Sequence, residues 1–205
     1  MSLGGLTDKA RLVGAGLRTL GGALIGVTSV AGLAGFADRA ITAADAIGKT
    51  ADMIGVGVEA LQELRYAAQS AGIEQNTLDK AVQGFTRRAA EAANGTGEAK
   101  DALAHMGIQL REQSGTLRST EDLLGQVADA FTRIENPAER ARLAYKLFDA
   151  EGVAMVGMLR DGRGALDAVR ERARDLGIVL DEQLVRGAER ARNELDTVSQ
   201  AITIR

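Results

Sequence analysis

With aromatic side chains at 3% of 205 residues and no tryptophan, any core here must be built from Leu, Val, Ile and Ala, each burying modest area at roughly 25 cal/mol per Å². The lack of cysteine excludes a disulfide framework and thiolate chemistry. A net charge of −3, with both signs well mixed, supplies no overall drive toward nucleic acid or acidic lipid.

The first segment, MSLGGLTDKARLVGAGLR, lacks the basic start, apolar core and cleavage motif of a secretory signal, so synthesis in the cytoplasm is expected. Leu6, Ala10, Val13, Leu17, Leu20, Leu24, Val27, Ala31 and Ala34 recur at alternating spacings of three and four. That pattern predicts a long N-terminal, coiled-coil-like helix. Its seam meets Asp38, resumes at Ile41 and loses its apolar character at Asp45 and Gly48.

Within this segment TLGGALIGVTSVAGLAGFA, residues 19–37, carries no charge. As a helix it spans about 28 Å, close to the hydrocarbon thickness of a bilayer. Most of it is nevertheless Gly, Ala, Ser or Thr. Gly14, Gly21, Thr28 and Gly35 fall seven apart, and Gly22 with Gly26 forms a GxxxG pair. Lines of small residues let helix backbones approach closely. The expected role is a multi-helix interface that can also enter lipid, with Val13, Leu17, Leu20, Gly22, Leu24, Gly26 and Val27 as contact candidates. A glycine-loosened, frayed terminus is the plainer alternative.

Shorter amphipathic helices follow, with helical hairpins expected through the middle. Val58, Leu61, Leu64, Ala68 and Ala71 make one stripe, ended by Gly72. Asn76 is expected to cap a helix carrying Leu78, Val82, Phe85 and Ala89, which residues 94–97 (NGTG) break. Thr96 is expected to cap the next helix, ending at Met106-Gly107. Residues 109–118 read as a polar loop. Ser119 or Thr120 then opens a helix with Leu124, Val127, Ala128, Phe131 and Ile134 on one side. Asn136-Pro137-Ala138-Glu139 predicts an N-cap, a proline at the first helical position and a capping box closed by Glu139. Leu143, Ala144, Leu147 and Phe148 form that helix's inner face. Gly152–Met158 reads as a short apolar helix or turn.

Leu166, Val169, Ala173 and Leu176 mark a further helix, stopped by Gly177. Asp181 caps the last, with the stripe Leu184, Ala188, Ala191, Leu195, Val198 and Ile202. Gly55-Val56, Gly72-Ile73, Gly107-Ile108 and Gly177-Ile178 share one grammar: a glycine ends the helix and the next apolar residue packs back on it. The chain divides into a Gly/Ala-rich helix over 1–52, a helical middle over 53–178 and a C-terminal helix over 179–205. The fold class is all-α.

No catalytic, cofactor-binding or metal-binding constellation emerges. His105 is the only histidine, which rules out a paired-histidine metal motif; a partly exposed helical residue is expected. Residues 95–100 (GTGEAK) open a helix, but no strand precedes them and Glu98 would repel phosphate. The runs RERARD (170–175) and ERARNE (189–194) interleave acids with arginines and offer no aromatic stacking partner, so solvated helix faces with i,i+4 pairs are expected. Glu121 and Asp122 sit in a first turn, where they favour the helix dipole. No sequence-specific nucleic-acid binding is expected.

The middle of the chain carries a resemblance. ELRYAAQSAGIEQNTLDKAVQGFTRRAAEAANGTGEAKDALAHMGI (63–108) resembles the N-terminal region of tailed-bacteriophage tail tape measure proteins. It continues through LLGQVADAFTRIENPAERARLAYKLFDAEGVAMVGML (123–159), and ADAIGKTADMIGVGVEALQEL (44–64) and the glycine-rich leader fit the same family. The resemblance implies a structural protein, not an enzyme. Such a protein fills the tail tube as several copies, sets tail length during assembly and leaves ahead of DNA at infection. It implies a homo-oligomer in the lumen of the virion tail, made in the host cytoplasm. Implied partners are the tail tube protein, tail tip proteins and assembly chaperones, with the host membrane possible during ejection. The family's proteins are usually longer, so a prophage or gene-transfer-like particle with a short tail is one source and a piece of a longer ruler another. A membrane-active, pore-forming protein and a cytoplasmic helical adaptor remain the alternatives from the residues alone.

Overall fold

The computed structural model describes the backbone of residues 30–203 and the side chains from Asp38 to Glu194. The contact candidates Val13, Leu17, Leu20, Gly22, Leu24, Gly26 and Val27 lie outside the described residues. What is described is all-helical: α1 (Val30–Ile54), α2 (Val58–Ser70), α3 (Gln75–Ala93), α4 (Lys100–His105), α5 (Thr120–Arg133), α6 (Pro137–Phe148), α7 (Gly152–Leu159), α8 (Gly162–Asp175) and α9 (Glu182–Thr203). A 3-10 turn, Asp149–Glu151, joins α6 to α7. The polar loop between α4 and α5 forms one isolated antiparallel bridge, Arg111 with Leu117.

The glycine–aliphatic pairs do end helices. At Gly55, Gly72, Gly107 and Gly177 φ lies between +65° and +78°. The next amide then reaches back five residues: Val56 to Ala51, Ile73 to Ala68, Ile108 to Leu103 and Ile178 to Ala173. These are Schellman closures, whose left-handed residue glycine adopts without a Cβ penalty. Val56, Ile73 and Ile108 pack on the core, whereas Ile178 stays exposed. A glutamine side chain then fixes the chain beyond two of these turns. The Gln126 carboxamide pairs with the backbone of Gln109 (2.8 and 3.2 Å), and that of Gln62 pairs with Leu180 (both 2.9 Å).

Three expected caps form. Ser119 Oγ accepts from the Asp122 amide, Asn136 Oδ1 from the Ala138 and Glu139 amides, and Asp181 Oδ1 from the Leu184 amide. Two others do not. Ile73 closes α2 so tightly that Glu74 already holds the extended N-cap geometry, and Asn76 becomes the second residue of α3. Thr96 is taken by the helix before it: its amide and its hydroxyl both donate to Glu91 O (3.0 Å each). Glu139 closes no capping box, because its carboxylate turns forward to Arg142 at 2.7 and 2.9 Å.

Helix α3 is central, touching α1, α2, α4, α5, α6 and α7. Its stripe of Leu78, Val82, Phe85 and Ala89 is buried. The Phe85 ring meets Phe148 of α6 with centroids 5.1 Å apart, and Phe131 of α5 is fully enclosed. Around this centre α8 packs on α2 and α5, and α9 runs along α1. Some stripe positions move outward: Ala71 and Leu176 are the C-caps of α2 and α8, past the last inward turn of each, and both are exposed. Leu184 is only half-buried, because Val185 takes the inner position on α9.

Helices α6 and α7 meet backbone to backbone. A Cβ on Gly152 would stand 2.6 to 2.8 Å from the main chain of Ala144 and Tyr145, so α7 must retreat for any side chain there. Gly157, one turn on, faces open space. Opposite signs follow for one chemical change. Gly152→Ala is expected to destabilise by about 1–3 kcal/mol through overpacking, and Gly157→Ala to stabilise by about 0.5–1 kcal/mol through helix propensity. Urea denaturation of both variants measures the difference.

Candidate functional site

Small side chains bring these helices close, so the charged residues flanking each apolar stripe meet across helix boundaries. Glu63 of α2 follows directly after the Leu61–Gln62 step of the buried stripe and is itself enclosed, with a side chain 5% exposed. Arg170 and Arg174 of α8 converge on it, Arg170 Nε at 2.9 Å and Arg174 Nε at 2.5 Å. Glu63 holds the Arg174 guanidinium above its ordinary pKa. The RERARD run is therefore not the solvated face expected; its two inward arginines bind α8 to α2.

A second cluster joins α5 to α8. Gly125 leaves a flat bed on α5 over which the Arg163 guanidinium lies. Arg163 Nη1 donates to Asp122 Oδ1 (3.1 Å), Nη2 to the Asp122 carbonyl (3.2 Å) and its amide to Asp129 Oδ1 (2.8 Å). Arg118 and Gln126 also donate to Asp122. Burial pushes the Asp122 pKa upward, but the bonds from Arg118, Arg163 and Gln126 outweigh it and leave the carboxyl below its ordinary value. Glu121 accepts from the Gly57 amide, tying α5 to the start of α2. The acids read as dipole partners thus also hold helices together.

Two further pairs complete the set. Arg65 makes a two-pronged pair with Asp79 (3.1 and 2.6 Å) across the α2–α3 turn. Buried Arg88 of α3 reaches Asp149 at 2.5 Å. Asp149 holds φ at +55°, in the left-handed region that ordinary side chains rarely adopt. Arg88 thereby clamps the sharp reversal between α6 and α7.

The third arrangement is the terminal pair. Asp52 bonds Arg186, and Asp38 bonds Arg192, so α9 runs antiparallel to α1. Helix α1 continues past Asp45 and Gly48 to Ile54, with Gly48 at its close approach to Val185 and Glu189. Nothing in the sequence reading anticipated that α9 folds back here. The one available signal was the seven-residue spacing of Asp38, Asp45 and Asp52, opposite a helix rich in arginine.

The other residues weighed earlier fall into place. His105 is exposed and stands 3.9 Å from Glu139. Residues 95–100 form the link into the six-residue α4. Surface depressions are open and shallow; one of about 500 Å³ lies between Met53 and Lys80, Gly84 and Arg87. Among the described residues no group of three or more His, Cys, Asp or Glu could hold a metal ion, and no helix is long and apolar enough to cross a membrane. What these side chains do chemically is pair opposite charges and cap backbone groups.

Comparison of the chain with known protein families, with characterised proteins and with solved structures finds no match.

Two measurements test the ionic links. Glu63→Ala leaves the largely enclosed Arg170 without its partner on α2 and is expected to lose about 3–5 kcal/mol. Arg174→Ala removes only the half-exposed partner and should lose about 1 kcal/mol or less; thermal or urea melts compare them. For Asp122 the folded pKa is lowered, so its contribution is complete above the unfolded value of about 3.9 and is lost as pH falls through the folded pKa. Stability measured from neutral pH downward should therefore fall less steeply below about pH 4 in Asp122→Asn than in the parent.

Proposed function

We propose that this chain is a tail tape measure protein, a structural component that fills a phage-type tail tube and sets its length. The observation that supports this best is the continuity of a helical body with the glycine-rich leader. Residues 30–37 of the uncharged stretch are already helical in α1, and α1 is packed into the body through Ala44, Ala51 and Ile54. The three segments carrying the resemblance, 44–64, 63–108 and 123–159, contribute most of one shared hydrophobic core.

In this reading the seam from Leu6 to Ala34 works as a long coiled-coil-like helix that associates with copies of itself, through Val13, Leu17, Leu20, Gly22, Leu24, Gly26 and Val27. The middle contributes a compact unit of helical turns. Tube subunits, tip proteins and assembly chaperones are the expected partners, and the host membrane is met at ejection. The role is structural, with no chemical step.

The test uses a particle that carries the chain. Duplicating residues 6–33 adds 28 residues, or about 42 Å of helix at 1.5 Å per residue. Electron microscopy should show longer tails, by one or more whole tube rings. Tails of unchanged length would overturn the measuring role, and absence of the chain from purified tails would overturn the assignment itself.

A further inference from the structure

Helix α9 leaves the body at a pinned joint, and beyond it the described cross-links to α1 are ionic. At the joint, the Gln62 carboxamide accepts from the Leu180 amide and donates to its carbonyl, both at 2.9 Å. Glu59 accepts from the Glu182 amide at 3.2 Å. Beyond it, among the described side chains, the apolar residues buried on the two helices are mostly small, Ala44, Gly48 and Ala51 on α1 and Val185 and Ala188 on α9, with Ile41 and Ile47 half-buried against the core. Side chains of this size bury modest apolar area each, so the hydrophobic holding over this described stretch is modest.

The cross-links are ionic and reachable by solvent. Arg186 grips Asp52 through both terminal nitrogens (2.7 and 2.6 Å), and Arg192 Nη1 donates to Asp38 and Thr42 (3.1 Å each). Asp52 and Asp38 are 60% and 62% exposed at their side chains. Pairs in such positions are strongly screened by salt.

The middle of the seam works against closure. Asp45, midway between Asp38 and Asp52, is more than nine-tenths buried. Its Oδ2 accepts from Lys49 of its own helix at 2.8 Å, while its Oδ1 has no hydrogen-bond partner among the described residues. One turn along, the Glu189 carboxylate fills the space a Gly48 side chain would need. Glu189 is itself held by Arg186, whose Nη1 stands 3.2 Å from both its oxygens, so the cost at the centre of the seam lies in Asp45, with its oxygen buried unpaired.

We propose that α9 is a releasable strap, swinging off α1 about the joint held by Gln62 as ionic strength rises, while α2–α8 stay folded. The body resists the same change because its principal pair, Glu63 with Arg170, is enclosed and little screened. Opening bares the small-residue face of α1 that continues the leader's seam. The inference stands on the terminal pair alone and does not depend on the tape measure reading.

Amide hydrogen exchange on the full chain tests it, at about 0.05 M and about 1 M sodium chloride, where the screening length falls from over 10 Å to about 3 Å. Amides of residues 182–194 should exchange about tenfold faster at high salt, with those of α3 and α5 unchanged. Arg186→Ala should give the fast pattern already at low salt. Asp45→Asn keeps the shape, removes a charge and should slow exchange in α9. The proposal is overturned if α9 amides exchange at the rate of α5 at both salts, which means opening only by global unfolding. Faster exchange in Asp45→Asn overturns it as well.

Discussion

Three buried phenylalanines and a population of Leu, Ala and Val leave these helices no way to bury much area except by coming close together. Close approach is a geometric demand, and glycine or alanine meets it wherever two backbones cross: Gly48 under α9, Gly125 under Arg163, Gly152 against α6. It also brings the flanks of each amphipathic helix within reach of the next. Charges that would face solvent on thicker helices here face one another, and the interhelical ion pairs follow from that.

Pairing of this kind adds little to stability where the groups are exposed and is costly to break where they are buried. Glu63 illustrates the second case. Its position inside the stripe of α2 ties α8 to one register, since only Arg170 and Arg174 lie one turn apart at the right height. The apolar residues of α8 are too few to do this: Leu166 and Ala173 are its buried aliphatic contacts. Charge therefore selects among packings that the small core would otherwise leave nearly equivalent.

Local signals were readable from residue order alone, and distant ones were not. The glycine–aliphatic turns, the caps at Ser119, Asn136 and Asp181, and the inner faces of α3, α5 and α6 depend on residues within a turn or two of each other, and each is visible in the sequence. Thr96 and Asn76 were misplaced because two local motifs compete there; the closing of one helix occupies the groups that would open the next. The partners of Glu63, Arg163 and Asp52 lie 107, 41 and 134 residues away. Periodicity carries no information about such pairs, so the return of α9 along α1 and the inward turn of RERARD were invisible. The predicted contact residues, Val13 to Val27, lie before Val30, outside the described residues.

The antiparallel course of α1 and α9 has a mechanical consequence. The chain enters through Val30 and departs through Thr203 at the same pole, while Ile54 and Glu182 sit together at the other. Tension between the two strands at that pole peels the helices apart like a zipper and does not slide them past each other. Of the two described ion pairs, Arg192–Asp38 lies nearer that pole and is loaded before Arg186–Asp52, so the pair nearer the joint is reached second. The Gln62 carboxamide then acts as the stop, beyond which further pulling must work against the enclosed core.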